Sequence, residues 1–162
     1  MSSSKQLLLL ADCSLIILAL FFGSQLVEAF ILVPYWQRLA PAQFLEWYQE
    51  YGGLLKQFFT PLTITAVLLP LILWVGKWHQ QQGALFFNGL TVILLLMVLS
   101  TYFLYFKATN TSFLQASISV EQVAATLLTW EKWHLGRLCL EFLALLSLWG
   151  ANRKGATFYF NQ

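Results

Sequence analysis

Four apolar stretches, at residues 7–33, 58–75, 84–106 and 133–149, divide the chain, and the polar residues gather between them. Each reaches the ~17 residues at which a helix begins to cross a ~30 Å hydrocarbon core, so the pattern predicts four membrane-spanning helices. The predicted fold is all-α, an antiparallel four-helix transmembrane bundle formed by one domain over residues 1–162. The first stretch follows Lys5 and contains Val27-Glu28-Ala29, which loosely imitates a signal-peptide cleavage site. Its apolar run is longer than a usual signal core, and the helix is expected to be retained.

The two longer connections carry patterns of their own. Over residues 41–51, Phe44, Trp47, Tyr48 and Tyr51 share one helical side and Gly52-Gly53 follows them. This predicts a short interfacial helix that ends at the glycine pair, with an ordinary aromatic belt as the plainer alternative. In the later connection Ser119 stands three residues before Gln122, a capping-box spacing that starts the last helix near Val120. From there Val120, Val123, Leu127, Trp130, His134, Arg137, Glu141, Ala144 and Leu148 form one stripe with three- and four-residue steps. Such a seam packs against neighbouring helices.

Polar residues on that stripe change the picture. Ionisable groups are costly inside a span and turn toward protein or water, so Trp130, His134, Arg137 and Glu141 are candidate functional residues. Glu28 lies six residues before Pro34 and Arg137 four after Trp133 on an antiparallel helix. At a rise of about 1.5 Å per residue their depths match, which predicts a Glu28–Arg137 ion pair with Gln25, His134 and Glu141 around it. Gly23 and Ser24 leave room for close helix approach. Tyr102 on the third span is placed at the same end, as a contributor to binding or as a belt residue. Pro70 frees the Ala66 carbonyl and is expected to kink or open the second span. Asp12 is expected to pair with Arg153 or Lys154 near the opposite end.

Hydrophobic residues make up 59% of the chain and charged residues 10%, against about 45–50% and about 25% in soluble domains. The net charge of +2 leaves no broad basic surface, which argues against a nucleic-acid partner. Lys5, Lys77, Arg153 and Lys154 flank one side of the predicted membrane in short segments, while Arg38, Lys56, Lys107 and Lys132 are spread over the longer loops. The denser positive charge puts both termini in the cytoplasm. A bacterial inner or organellar membrane is expected. His79 and His134 fall on opposite sides, and a single Glu131-x-x-His134 element does not make a di-metal site, so no metal and no cofactor is expected. Cys13 and Cys139 lie too far apart along their helices for a disulfide.

The four-span layout, a first helix running through Gly23 and Glu28 into Val33-Pro34, and Trp130…His134…Arg137 opening the last helix together resemble the anthrone-oxygenase-like family of integral membrane proteins. The resemblance implies oxidation of anthrones to anthraquinones by molecular oxygen without metal or flavin. It would make His134 a base, Arg137 a stabiliser of phenolate or enolate charge, and Trp130 a wall for the rings. Glu28, Gln25, Glu141 and Tyr102 enter from depth and position alone, as ligand-binding candidates. Three readings stay open: a protein that binds or oxidises an apolar aromatic or quinone-like molecule in a polar-aromatic cavity at the non-cytoplasmic end, a non-catalytic subunit of a larger membrane complex, and a small carrier or proton relay.

Overall fold

A computed structural model describes the backbone of residues 3–80 and 84–160 and the side chains of residues 5–80 and 84–153. Four helical rods are long and apolar enough to cross a membrane, and each packs on the next in sequence while the last closes against the first. The first rod is α1 (Ser3–Val27), a wide π turn (Glu28–Leu32) and α2 (Val33–Arg38). The second is α3 (Pro41–His79) alone. The third joins α4 (Leu85–Thr101), a second π turn (Tyr102–Phe106) and α5 (Lys107–Leu114), and the fourth is α6 (Val120–Phe160). The last helix starts where the sequence placed it.

The helix expected over residues 41–51 is not a separate element. It is the first part of α3, which has 39 residues and runs without interruption through Gly52 and Gly53. A glycine inside a helix costs only about 1 kcal/mol, too little to end one that is packed on its neighbours. Gly52 has a packing role: a Cβ there would lie 2.7 Å from the Tyr48 ring, so the missing side chain lets that ring fold over the helix. The helix also continues through Pro61 and Pro70, and Ala66 and Pro70 are buried. At about 1.5 Å per residue α3 measures about 58 Å, close to twice the hydrocarbon core, so it is longer than a single crossing needs.

Two cores result. Near Lys5 and Arg153, the proximal half, Leu18, Phe21, Ala66, Leu73, Leu95, Ala144 and Leu148 interlock as a largely aliphatic cluster. Short polar links cross it: Ser147 Oγ donates to the Phe87 carbonyl at 2.9 Å and Asn152 Nδ2 to that of Ala11 at 3.1 Å. In the distal half, near Arg38 and Val120, Trp36, Phe44, Tyr48, Phe106, Phe113 and Trp130 form an aromatic cluster joined by edge-to-face contacts. Asp12 is exposed, the Arg153 guanidinium lies 4.7 Å over the Trp149 ring, and the side chain of Lys154 lies outside the described residues. Lys77 is buried, 6% exposed.

Candidate functional site

Where the aromatic and aliphatic cores meet, the stripe of α6 faces the first wide turn. Pro34 explains that turn: it has no N–H to offer, and its ring would crowd the carbonyl four residues earlier in a regular helix. Widening to a five-residue repeat over Glu28–Leu32 relieves both problems and brings Glu28 into the interior, 6% exposed. The second wide turn has no proline. It ends on Phe106, which is buried against the same arginine. Single π turns of this kind are frequent at functional sites.

Arg137 is the hub. Its Nη2 donates to Gln25 Oε1, to Glu28 Oε2 at 3.5 Å and to His134 Nδ1 at 3.1 Å, while Nε lies 3.6 Å from Glu141 Oε1. The guanidinium carbon sits 4.5 Å over the Phe106 ring, a cation–π contact. The ion pair expected between Glu28 and Arg137 is therefore present, with Gln25, His134 and Glu141 around it. Glu141 is fully buried and neither of its carboxylate oxygens has a hydrogen-bond partner. It forms an ion pair with the Arg137 Nε without a hydrogen bond.

The contacts of His134 fix its tautomer. Nε2 faces the Gln25 backbone carbonyl at 3.1 Å, which can only accept, so Nε2 carries the proton. Nδ1 faces a guanidinium nitrogen, which can only donate, so the Nδ1 lone pair is taken. The ring is 0% exposed and stacks on Trp130 at 4.9 Å between centroids. Trp130 is held in turn by a 2.8 Å bond from its Nε1 to Asn110 Oδ1 and by the edges of Trp36 and Phe106. These side chains touch one another directly; a fully shielded imidazole does not border a water-sized void. The open cavity expected between Trp130, His134, Arg137 and Glu28 is a packed polar knot.

Open space lies on the other side of Arg137. A groove of about 470 Å³ runs between α4 and α6, lined by Thr101, Lys132, Trp133, Gly136, Arg137 and Leu140. Of the predicted site residues it contains Arg137 alone. Trp133 forms a flat wall whose ring stacks on Tyr105, 5.1 Å between centroids and 7° from parallel. Tyr102, on the second wide turn, is partly buried against the aromatic cluster and makes no direct hydrogen bond to the Arg137 group among the described residues.

Sequence reasoning missed Phe106, Asn110, Gly136 and both wide turns. Pro34 was the available signal for the first turn; the second left none. Asn110, which by pattern alone begins a glycosylation sequon, spends its side-chain oxygen on Trp130. Among the described residues no three His, Cys, Asp or Glu side chains come together as a metal-binding group, and Cys13 and Cys139 are free thiols on exposed faces. Comparison with protein-family models, with curated proteins and with solved structures finds no match to this chain.

Proposed function

We propose that this integral membrane protein binds a planar, apolar aromatic molecule of the anthrone type, whose enol form is a phenol, and that Arg137 holds the anionic form of that ligand. One observation carries the reading: Arg137 is both the hub of a buried polar network and a lining residue of an open groove. Nη2 is committed to Gln25, Glu28 and His134, whereas Nη1 makes no hydrogen bond among the described residues. A guanidinium with one nitrogen held and one free is pre-oriented to receive an oxyanion. His134, with both nitrogens engaged, positions Arg137 and is not the group that takes a proton from the ligand.

The resemblance to the anthrone-oxygenase-like family supplies the chemistry this site would serve. Ionising an anthrone places negative charge on its oxygen, and the resulting electron-rich anion reacts with O₂; the ring CH₂ becomes C=O and water leaves. A fixed cation at that oxygen favours the anion. The denser Lys and Arg flanks support a reading with both termini in the cytoplasm and the site in the non-cytoplasmic half. Single cysteines replacing exposed His79 and Lys107, in a chain lacking Cys13 and Cys139, are then labelled by an impermeant reagent from opposite sides. The cysteine at His79 is the one reached from the cytoplasmic side; the reverse assignment, or labelling of both from one side, overturns that orientation.

Anthrone titrated into the protein in nanodiscs tests the binding reading, with anthraquinone formation under air as a second readout. Losing a charge-assisted hydrogen bond costs about 1.5–3 kcal/mol, so Arg137→Gln is expected to weaken binding about 10- to 100-fold. Wild-type affinity in Arg137→Gln, or no binding by the wild type, overturns the reading.

A further inference from the structure

The α4–α6 groove follows α6 from Lys132 to Leu140, about 12 Å at 1.5 Å per residue, and three of its lining residues, Lys132, Trp133 and Gly136, are exposed, between two helices long and apolar enough to cross a membrane. Its floor is Gly136. A Cβ built on Gly136 meets nothing within 4 Å, so this glycine is not required by a close helix contact, unlike Gly52 or Gly76. Glycine lowers the stability of a helix interior, and here its effect is to keep the groove open. Both charges on the lining, Lys132 and Arg137, are positive, and no acid lines it. Its flat wall, Trp133, is fixed by Tyr105, whose hydroxyl reaches the Thr126 carbonyl at 3.4 Å.

We infer that the ligand enters Arg137's reach laterally from the bilayer through this groove, with Gly136 as the residue that determines how large a ring system is admitted. The inference rests on the binding reading above and adds its route and size limit. The flat wall takes the ring face, the gap at Gly136 takes the ring edge, and Arg137 takes the acidic oxygen. Lys132, exposed at the mouth, attracts the anion from the interface. An anionic lipid headgroup is the competing occupant. It would use the two cations but gain nothing from a fixed indole face or from a gap one side chain deep.

Two measurements on the full chain in nanodiscs test this. A Cβ at Gly136 meets nothing within 4 Å and leucine is the better helix former, so the unfolding temperature of Gly136→Leu is expected to equal or exceed that of the wild type while anthrone affinity falls at least about tenfold. In a chain lacking Cys13 and Cys139, Gly136→Cys is expected to react with a bilayer-soluble pyrene maleimide, and anthrone is expected to slow that reaction. Wild-type affinity in Gly136→Leu, with affinity lost in Arg137→Gln, overturns the lateral route and leaves the binding reading standing. Wild-type affinity in Arg137→Gln, with loss in Gly136→Leu, keeps the groove and removes Arg137 as its anion holder. Protection of the Gly136→Cys thiol by anionic lipid and not by anthrone overturns the inference in favour of a lipid site. No binding of anthrone by the wild type overturns both.

Discussion

In the proximal half, Leu18, Leu73, Leu95, Ala144 and Leu148 interlock on helices that keep the α repeat throughout; in the distal half, aromatic rings pack around charged groups, and two of the four rods widen into π turns. The contrast separates two tasks. Aliphatic packing tolerates regular helices because any neighbour of suitable volume will serve. A buried guanidinium needs partners at fixed points, and each wide turn delivers one, Glu28 from the first and Phe106 from the second. The half that departs from regularity is also the half where an open groove reaches a charged side chain.

The largest expected effect comes from stranding the distal charges. Arg137→Leu leaves Glu28 and Glu141 buried without their cation and is expected to cost about 3–5 kcal/mol in unfolding measurements in mild detergent. The exchange Glu28→Arg with Arg137→Glu sharpens the point. It places a new carboxylate one turn from Glu141, so recovery is expected only when Glu141→Gln is added; recovery without that third change would remove Glu141 from the network. In the proximal half Leu148→Ala, at a fully buried site, is expected to cost about 2–5 kcal/mol through the cavity it leaves and to keep ligand affinity at the wild-type level. A matching loss of affinity would break the division between the halves.

Smaller effects grade the distal half itself. Asn110→Ala removes the partner of the Trp130 indole and is expected to cost about 1 kcal/mol, and to cost nothing further in a chain that already carries Trp130→Phe. Additive losses in that cycle would mean that the two side chains act separately. The turn before α6 offers a gain. Ala116 has φ 45° and follows α5 with the Ser117 N–H bonded to the Ser112 carbonyl at 2.9 Å, a helix ending that favours glycine. Ala116→Gly is expected to stabilise by about 1 kcal/mol, read as a shift in the unfolding midpoint, with ligand affinity unchanged.

Much of this was legible in the chain because a membrane span is encoded by composition over a whole window, and a buried charge in such a window stands out. Four spans, the start of α6 near Val120 and the Glu28–Arg137 pair follow from hydropathy, a three-residue spacing and matched depth. What stayed hidden depends on local geometry. Gly52-Gly53 reads as a stop, yet α3 continues because packing on its neighbours outweighs a small propensity cost. Phe106 looks like one more lipid-facing aromatic until a wide turn rotates it onto Arg137. The family resemblance implied that His134 is a base; that both of its ring nitrogens are engaged lives in atom positions rather than in spacing.

The central claim is that the distal network is retained for a ligand and not for stability. Replacing it whole tests this most directly, because a buried ionic group exchanged for apolar side chains of similar size is often neutral or stabilising, while removing one partner is not. A chain carrying Gln25→Leu, Glu28→Leu, His134→Leu, Arg137→Leu and Glu141→Leu together is measured in parallel for unfolding and for anthrone binding. The expected result is a folded bundle at least as stable as the wild type that no longer binds anthrone. A bundle that fails to assemble, or one that binds anthrone as before, would contradict the claim.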